Sequence, residues 1–130
     1  GTAMTNSGAA EMLAGFITGG LQSWGPHAVL AGFCVLTVLL TQGLSNAAAA
    51  LVVLPIALRS AESLAVSPVS FGVAVMLSAS ISVLTPFEPS CILVYGPGKY
   101  RFADFVKVGS GLVLCSLAII IVMVPVLWPF

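Results

Sequence analysis

The sequence contains few charged side chains: four Lys or Arg, four Asp or Glu, and one histidine among 130 residues. A soluble domain has about a quarter of its residues charged, so this scarcity excludes a soluble enzyme and a disordered segment. The formal net charge of zero provides no basic patch for phosphates, which excludes nucleic acid as a partner. Because 59% of the residues are hydrophobic and the mean hydropathy is +1.17, the sequence predicts an integral membrane protein.

Residues with catalytic or metal-binding chemistry are equally scarce. Cys34, Cys91 and Cys115 each lie among apolar residues, which predicts inert small hydrophobic side chains. His27 has no second ligand nearby, so no metal site other than a Na⁺ site and no cofactor are expected. No nucleophile and base can be paired, so the chain is not expected to be an enzyme. No signal peptide is visible, and the chain is expected to be a fragment.

The predicted fold class is all-α and polytopic, and it begins with an interfacial amphipathic helix and turn over residues 1–25. Residues 5–22 place their apolar side chains on one helical face. Glu11 and the glycines at 15, 19 and 20 make this segment a poor membrane span, so we expect it to lie in the interface. Trp24 follows as an anchor at headgroup depth.

A re-entrant helical hairpin is predicted over residues 26–60, with Ser45-Asn46 at its tip. Its arms, residues 28–40 and 47–58, rise roughly 20 and 18 Å, and neither crosses a hydrocarbon core of about 30 Å. A short loop over residues 59–67, which contains Arg59, then returns the chain to an interface.

A discontinuous transmembrane helix is predicted over residues 67–95, broken at Thr85–Pro89 by two prolines. Residues 96–105 form a loop, and residues 106–130 form the last transmembrane helix. Basic residues favour the cytoplasmic side, and Lys99, Arg101 and Lys107 outnumber Arg59. We therefore expect residues 96–107 to be cytoplasmic and the C-terminus to lie outside, in a multi-pass protein of the cell membrane.

The two interrupted elements predict a binding site, because helix ends at membrane depth leave backbone groups that need partners. Oxygens of Thr41, Ser45 and Asn46, with carbonyls near Leu84 and Pro86, form a neutral set that suits Na⁺. The free N–H groups where the second arm starts, at Ala47, suit an anion. Alternatively, Ser45-Asn46 is an ordinary loop that joins two core helices.

Two segments, TQGLSNAAAALVVLPIAL and LTPFEPSCILVYGPGKYRFADFVKVG, resemble the C-terminal part of the divalent anion/sodium symporter family, within the citrate-transporter-like superfamily. The resemblance covers essentially the whole chain and implies one of two inverted repeats, each with a Ser-Asn-Thr hairpin tip and a Thr-Pro break. It implies a cation site at Thr41, Ser45, Asn46, Leu84 and Pro86, and substrate contacts at Ser45, Asn46, Ala47 and Thr85.

The chain departs from the family pattern at two positions. Ala47 stands where dicarboxylate carriers have Thr, which leaves sulfate or another small anion as the expected substrate. Glu88 follows the Thr-Pro element, where many relatives have small residues. A carboxylate at membrane depth is a functional candidate, as a proton carrier or an added cation ligand. The alternative is that Glu88 extends into a cavity or pairs with Lys99 or Arg101.

The predicted function is the C-terminal part of a secondary active transporter. It moves a small anion, sulfate or a di- or tricarboxylate, with Na⁺ by alternating access. The expected partners are the lipid bilayer, the first repeat and scaffold of the transporter, and a second copy in a homodimer. Two alternatives stay open: H⁺-coupled or exchange transport that uses Glu88, and a small membrane scaffold or assembly protein without transport activity.

Overall fold

The computed structural model describes residue 3 and residues 6–130, with the side chain of Ala10 excepted. Gly1, Thr2, Met4 and Thr5, which the predicted first segment includes, lie outside the described residues. Residues 9–130 contain no β-strand, which agrees with the predicted all-α class, and a 3₁₀ turn at Gln22–Trp24 follows the first helix. The α-helices in this range are α1 Ala9–Leu21, α2 Pro26–Thr41, α3 Asn46–Ser63, α4 Pro68–Ala79, α5 Pro89–Tyr95 and α6 Phe102–Leu127.

The core lies where α2, α3 and α4 pack against one another, with α6 against α2 and α4. Phe33 of α2 and Phe71 of α4 are fully buried there, with ring centroids 6.3 Å apart in an edge-to-face arrangement. Ser70 of α4 donates a hydrogen bond to the carbonyl of Trp128, which fixes the end of α6 against α4. Between membrane helices, close packing and hydrogen bonds of this kind drive association, because lipid is as apolar as the side chains.

The helices α2 and α3 form a helical hairpin joined by the hairpin turn, residues 42–45. The second arm is longer than predicted: α3 runs to Ser63 and includes Arg59, which the sequence analysis wrongly assigned to a loop over residues 59–67. The helix continues because Ala57 and Ala61 are buried and Arg is a good helix former.

A Schellman motif ends α3 after Ser63. The N–H of Val66 donates to the carbonyl of Ala61 over 3.0 Å, and the N–H of Ala65 donates to that of Glu62 over 3.1 Å. Ala65 has the left-handed φ of 56° that this motif needs. Alanine rarely takes this conformation, so the residue type gave no sign of the helix end.

The discontinuous helix breaks earlier than predicted. α4 ends at Ala79 rather than near Leu84, and a non-helical connection, residues 80–88, leads to α5; it includes turns and bends from residue 84 onward and is named the extended segment. The last helical bonds are short i→i+3 bonds, from Ser80 to Leu77 and from Ile81 to Ser78, both 3.1 Å. Serine and β-branched residues follow in the sequence, and these are weaker helix formers than the apolar run before them.

The last helix begins at Phe102, so the predicted loop over residues 96–105 is too long. The backbone N–H of Arg101 donates to a carboxylate oxygen of Asp104 over 2.9 Å, as part of a capping box that starts α6. α6 has 26 residues and rises roughly 39 Å. By length and composition it is the one helix of the described chain that can cross a membrane; α2 and α4 are apolar but shorter.

Candidate functional site

A cavity of about 710 Å³ lies between the hairpin turn and the extended segment. Both elements are irregular there: α2 ends at Thr41, α3 begins at Asn46, and residues 80–88 are not helical. The cavity is lined by Thr41, Gln42, Gly43, Leu44, Ser45, Asn46, Ala47, Ser82, Thr85, Phe87, Glu88 and Pro89.

The hairpin turn places the start of α3 at this cavity. Ser45 is the N-cap of α3, with extended backbone, and its Oγ accepts a hydrogen bond from the N–H of Ala48 over 3.2 Å. The first N–H groups of a helix, here those of Asn46 and Ala47, have no preceding helical carbonyl to bond. The helix dipole adds partial positive charge at the same end. This end of α3 therefore suits an anion.

One polar bridge between the hairpin turn and the extended segment runs through Gln42. The hydroxyl of Thr85 donates to Oε1 of Gln42 over 3.0 Å. Nε2 of Gln42 donates to the carbonyl of Val38 over 2.9 Å and to Oγ1 of Thr41 over 3.2 Å. The amide of Gln42 is thus held at both ends, which fixes its orientation.

Thr41 adds a second contact between the same two elements. It is 7% exposed, and its hydroxyl lies 2.6 Å from the carbonyl of Val38 and 3.5 Å from that of Ile81. One hydroxyl therefore stands between the last turn of α2 and the first residues of the extended segment. Its oxygen is one of several uncharged oxygens around the cavity.

The other polar bridge runs through Glu88. Its Oε2 accepts a hydrogen bond from Nδ2 of Asn46 over 3.5 Å and another from the hydroxyl of Ser82. The alternative expected for Glu88 is half right: the residue lies in the cavity lining, but among the described residues it makes no ion pair with Lys99 or Arg101, since both partners of the carboxylate are neutral. The seven-residue helix α5, about 10 Å long, separates Glu88 from those basic residues.

The structure brings together most of the sequence-predicted site residues but not all of them. Those that line the cavity are Thr41, Ser45, Asn46, Ala47, Thr85 and Glu88. Leu84 and Pro86 are absent from the lining; Pro86 is buried, and the backbone of Leu84 lies against α6 at Gly109. Coordination of a cation by their carbonyls stays a prediction.

Two residues of the site, Gln42 and Ser82, were missed by the sequence analysis. Gln42 follows Thr41 directly, and a polar amide at that membrane depth was the available signal. Ser82 gave no such signal, because the helix was expected to continue past it.

The chemistry of the lining is that of neutral oxygen and amide groups plus one carboxylate, since Glu88 is its one charged residue. Hydroxyl and amide oxygens are ligands for a small hard cation. Among the described residues, no group of three His, Cys, Asp or Glu side chains can hold a transition metal, and the cysteines are free.

A family model described as citrate transporter matches residues 1–130. The uncharacterized transporter YfbS of Escherichia coli (strain K12) is 41% identical over 108 residues, which is 82% of this chain and 18% of the relative. The sodium/sulfate cotransporter 2 of Chlamydomonas reinhardtii is 33% identical over 103 residues, 78% of this chain and 12% of the relative. Human solute carrier family 13 member 4 is 30% identical over 105 residues, which is 80% of this chain and 17% of the relative.

The chain spans about a fifth of the length of the first two transporters it matches. No solved structure matches it. The matched proteins are membrane transport proteins rather than enzymes, which agrees with the prediction from the sequence.

Proposed function

Because the chain belongs to the citrate transporter family, we propose that it is the C-terminal part of a secondary active transporter that moves a small anion across the cell membrane with Na⁺. One observation carries this proposal: two irregular segments at the ends of apolar helices face each other across a cavity that is lined by both polar and apolar side chains, joined by the Gln42–Thr85 and Asn46–Glu88 bridges. Discontinuous helices of this kind hold substrates and coupling ions in secondary transporters.

The anion binds at the start of α3. The N–H groups of Asn46 and Ala47, the Ser45 hydroxyl and the Asn46 amide supply hydrogen-bond donors at the positive end of the helix dipole. Thr85 becomes a donor to the anion when its hydroxyl leaves Oε1 of Gln42. Ala47 offers a methyl group rather than a hydroxyl, which favours sulfate over a di- or tricarboxylate. The names of the sodium/sulfate cotransporters among the relatives support the same choice.

The coupling cation is Na⁺. Oxygens of Thr41, Ser45 and Asn46 lie on one side of the cavity, and the carbonyls of Leu84 and Pro86 complete the proposed set. Neutral oxygens suit a monovalent cation, whereas Ca²⁺ sites recruit several carboxylates. Cation binding orders the hairpin turn against the extended segment and so prepares the anion site.

Transport by alternating access needs parts of the protein beyond these residues. A first repeat with its own hairpin completes the substrate site, and a scaffold, which also forms a homodimer, supports the moving block. In this arrangement residues 96–107 are cytoplasmic and the C-terminus lies outside, as the distribution of basic residues favours.

Uptake by the full-length protein in proteoliposomes tests the proposal. With an inward Na⁺ gradient we expect accumulation of radiolabelled sulfate, more than of succinate, and little uptake when choline replaces Na⁺. Ser45→Ala and Asn46→Ala should reduce uptake at least tenfold, and Ser63→Ala, at the far end of α3, should leave it unchanged. Failure of both anions would refute the substrate class. Unchanged uptake in both site variants would instead favour a scaffold role for this part of the chain.

A second candidate is H⁺-coupled or exchange transport through Glu88, which the position of this carboxylate in the cavity lining favours. It predicts uptake that is driven by a proton gradient without Na⁺ and is abolished in Glu88→Gln.

A further inference from the structure

Glu88 is the one fixed charge in a lining that is otherwise neutral. Its Oε2 accepts hydrogen bonds from two uncharged groups, the Asn46 amide and the Ser82 hydroxyl. Neither partner neutralises the negative charge. Glu88 is half-buried, and a carboxylate without a countercharge at the membrane depth predicted for this segment generally has a functional role.

Helix capping does not account for this position. Glu88 is the N-cap of α5, but its side chain makes no capping hydrogen bond; its backbone carbonyl accepts the N–H groups of Cys91 and Ile92, both at 3.0 Å. A carboxylate that only started α5 would turn to the first N–H groups of that helix. The side chain of Glu88 instead points across the cavity to the start of α3.

The carboxylate therefore takes one of the two N–H donors of the Asn46 amide, the group that the proposed function assigns to the anion. While Glu88 is charged and uncompensated, an anion that approaches Asn46 meets a like charge at hydrogen-bond distance from the same amide. In a site partly shielded from water this repulsion is strong. A cation beside Glu88 removes this repulsion.

We propose that Glu88 is the residue that makes anion binding conditional on Na⁺: the cation binds beside this carboxylate and converts a negative cavity into one that accepts an anion. The inference rests on the proposed function and names the group that couples its two ligands. Coupling is reciprocal, so the anion strengthens Na⁺ binding by the same factor, typically about 5–150-fold.

Equilibrium binding to the purified full-length protein tests this. The apparent Kd of radiolabelled sulfate, and separately of succinate, is measured in NaCl and in choline chloride. In wild type, Na⁺ should lower the Kd. In Glu88→Gln the ratio between the two salts should shrink about tenfold, within the usual range of coupling factors, and binding in choline should be tighter than in wild type. Glu88→Asp, which keeps the charge, should keep the ratio, as should the exposed control Glu62→Gln.

A second measurement needs no knowledge of the substrate. Without added sulfate or succinate, and at equal chloride concentration, NaCl should raise the thermal unfolding midpoint of wild type above that in choline chloride, because Na⁺ binds the folded state. Glu88→Gln should lose most of this difference, and Glu62→Gln should keep it.

The Na⁺ coupling of the proposed function and the role of Glu88 can be refuted by different results. If the Kd values of sulfate and succinate for wild type are the same in NaCl and in choline chloride, the Na⁺ coupling of the proposed function is refuted. A Glu88→Gln protein that keeps the wild-type salt ratio and the wild-type Na⁺ effect on unfolding overturns the role of Glu88 and leaves that coupling in place.

Discussion

The hydroxyl of Thr85 donates a hydrogen bond to Oε1 of Gln42 over 3.0 Å, and this contact joins the extended segment to the hairpin turn. The two residues are 43 positions apart in the sequence. Because Nε2 of Gln42 is bound to Val38 in turn, the contact ties the extended segment to the end of α2. Relative motion of the two elements has to break it.

Removal of this hydrogen bond should weaken the site more than the fold. Thr85→Val keeps the shape of the side chain and loses the hydroxyl, so we expect a loss of about 0.5–1.5 kcal/mol in unfolding free energy. Uptake should fall several-fold, because the extended segment is no longer fixed. Thr18→Val removes a hydroxyl that contacts Ser60 away from the cavity and serves as the control. Equal effects of the two variants on uptake would contradict a special role for the Gln42–Thr85 contact.

The contact between Asn46 and Glu88 predicts a charge effect with a defined rescue. Asn46→Asp places a second carboxylate about where the amide now meets Oε2, and two unit charges 4 Å apart repel by about 4 kcal/mol at an effective dielectric constant of 20. We expect a lower thermal unfolding midpoint in detergent. The double variant Asn46→Asp/Glu88→Gln should recover most of the loss. A double variant no more stable than Asn46→Asp alone would show that the two side chains do not interact.

The order of helices, the hairpin turn and an interruption that includes Thr85-Pro86 could be predicted, because each is marked locally. Long apolar runs predict helices, and the paired prolines at 86 and 89 or the Ser45-Asn46 pair predict an interruption, whereas the single prolines at 55 and 125 lie inside α3 and α6. The positions at which the helices end were harder to predict. α3 passes Arg59 because its buried face continues to Ala61, which is a property of packing rather than of residue type.

The candidate site also combines residues that the local sequence predicted with contacts that it could not predict. Ser45 and Asn46 were predicted because they interrupt an apolar run. The hydrogen-bond partners of Glu88 depend on where α4 ends. Because this helix was wrongly expected to reach Leu84, Ser82 was assigned to the helix and not to the site. The Glu88 interaction spans 42 residues to Asn46, and no local pattern specifies a contact at such a distance.

Ser45 has two roles that substitution can separate: it caps α3 and lies in the cavity lining. Ser45→Ala should cost about 1 kcal/mol in unfolding free energy through the lost cap, and uptake should fall as well. Ser45→Asp restores a capping oxygen, so stability should return, but its negative charge should keep anion uptake low. Ser67 begins α4 without a side-chain capping bond, so Ser67→Ala should leave stability unchanged. Recovery of uptake in Ser45→Asp would refute an anion site at this helix start.

Two glycines of α6 provide the sharpest test of what holds the extended segment in place. A Cβ added at the buried Gly109 would clash with the carbonyl oxygen of Val83 and lie 3.0 Å from Cα of Leu84. These are backbone atoms, so the extended segment itself has to move. Gly111 is exposed in the same helix, and a Cβ there meets nothing within 4 Å.

We therefore expect Gly109→Ala to lower the unfolding free energy by about 1–3 kcal/mol, the usual cost of overpacking, and to reduce uptake because Thr85 and Glu88 move with the segment. Gly111→Ala should raise the unfolding free energy by about 0.5–1 kcal/mol, because alanine is the better helix former, and should leave uptake unchanged. Thermal unfolding in detergent and uptake in proteoliposomes measure the two effects. A Gly109→Ala protein as active and stable as Gly111→Ala would mean that α6 does not position the extended segment, and the cavity would then depend on the contacts from Thr41, Gln42 and Asn46.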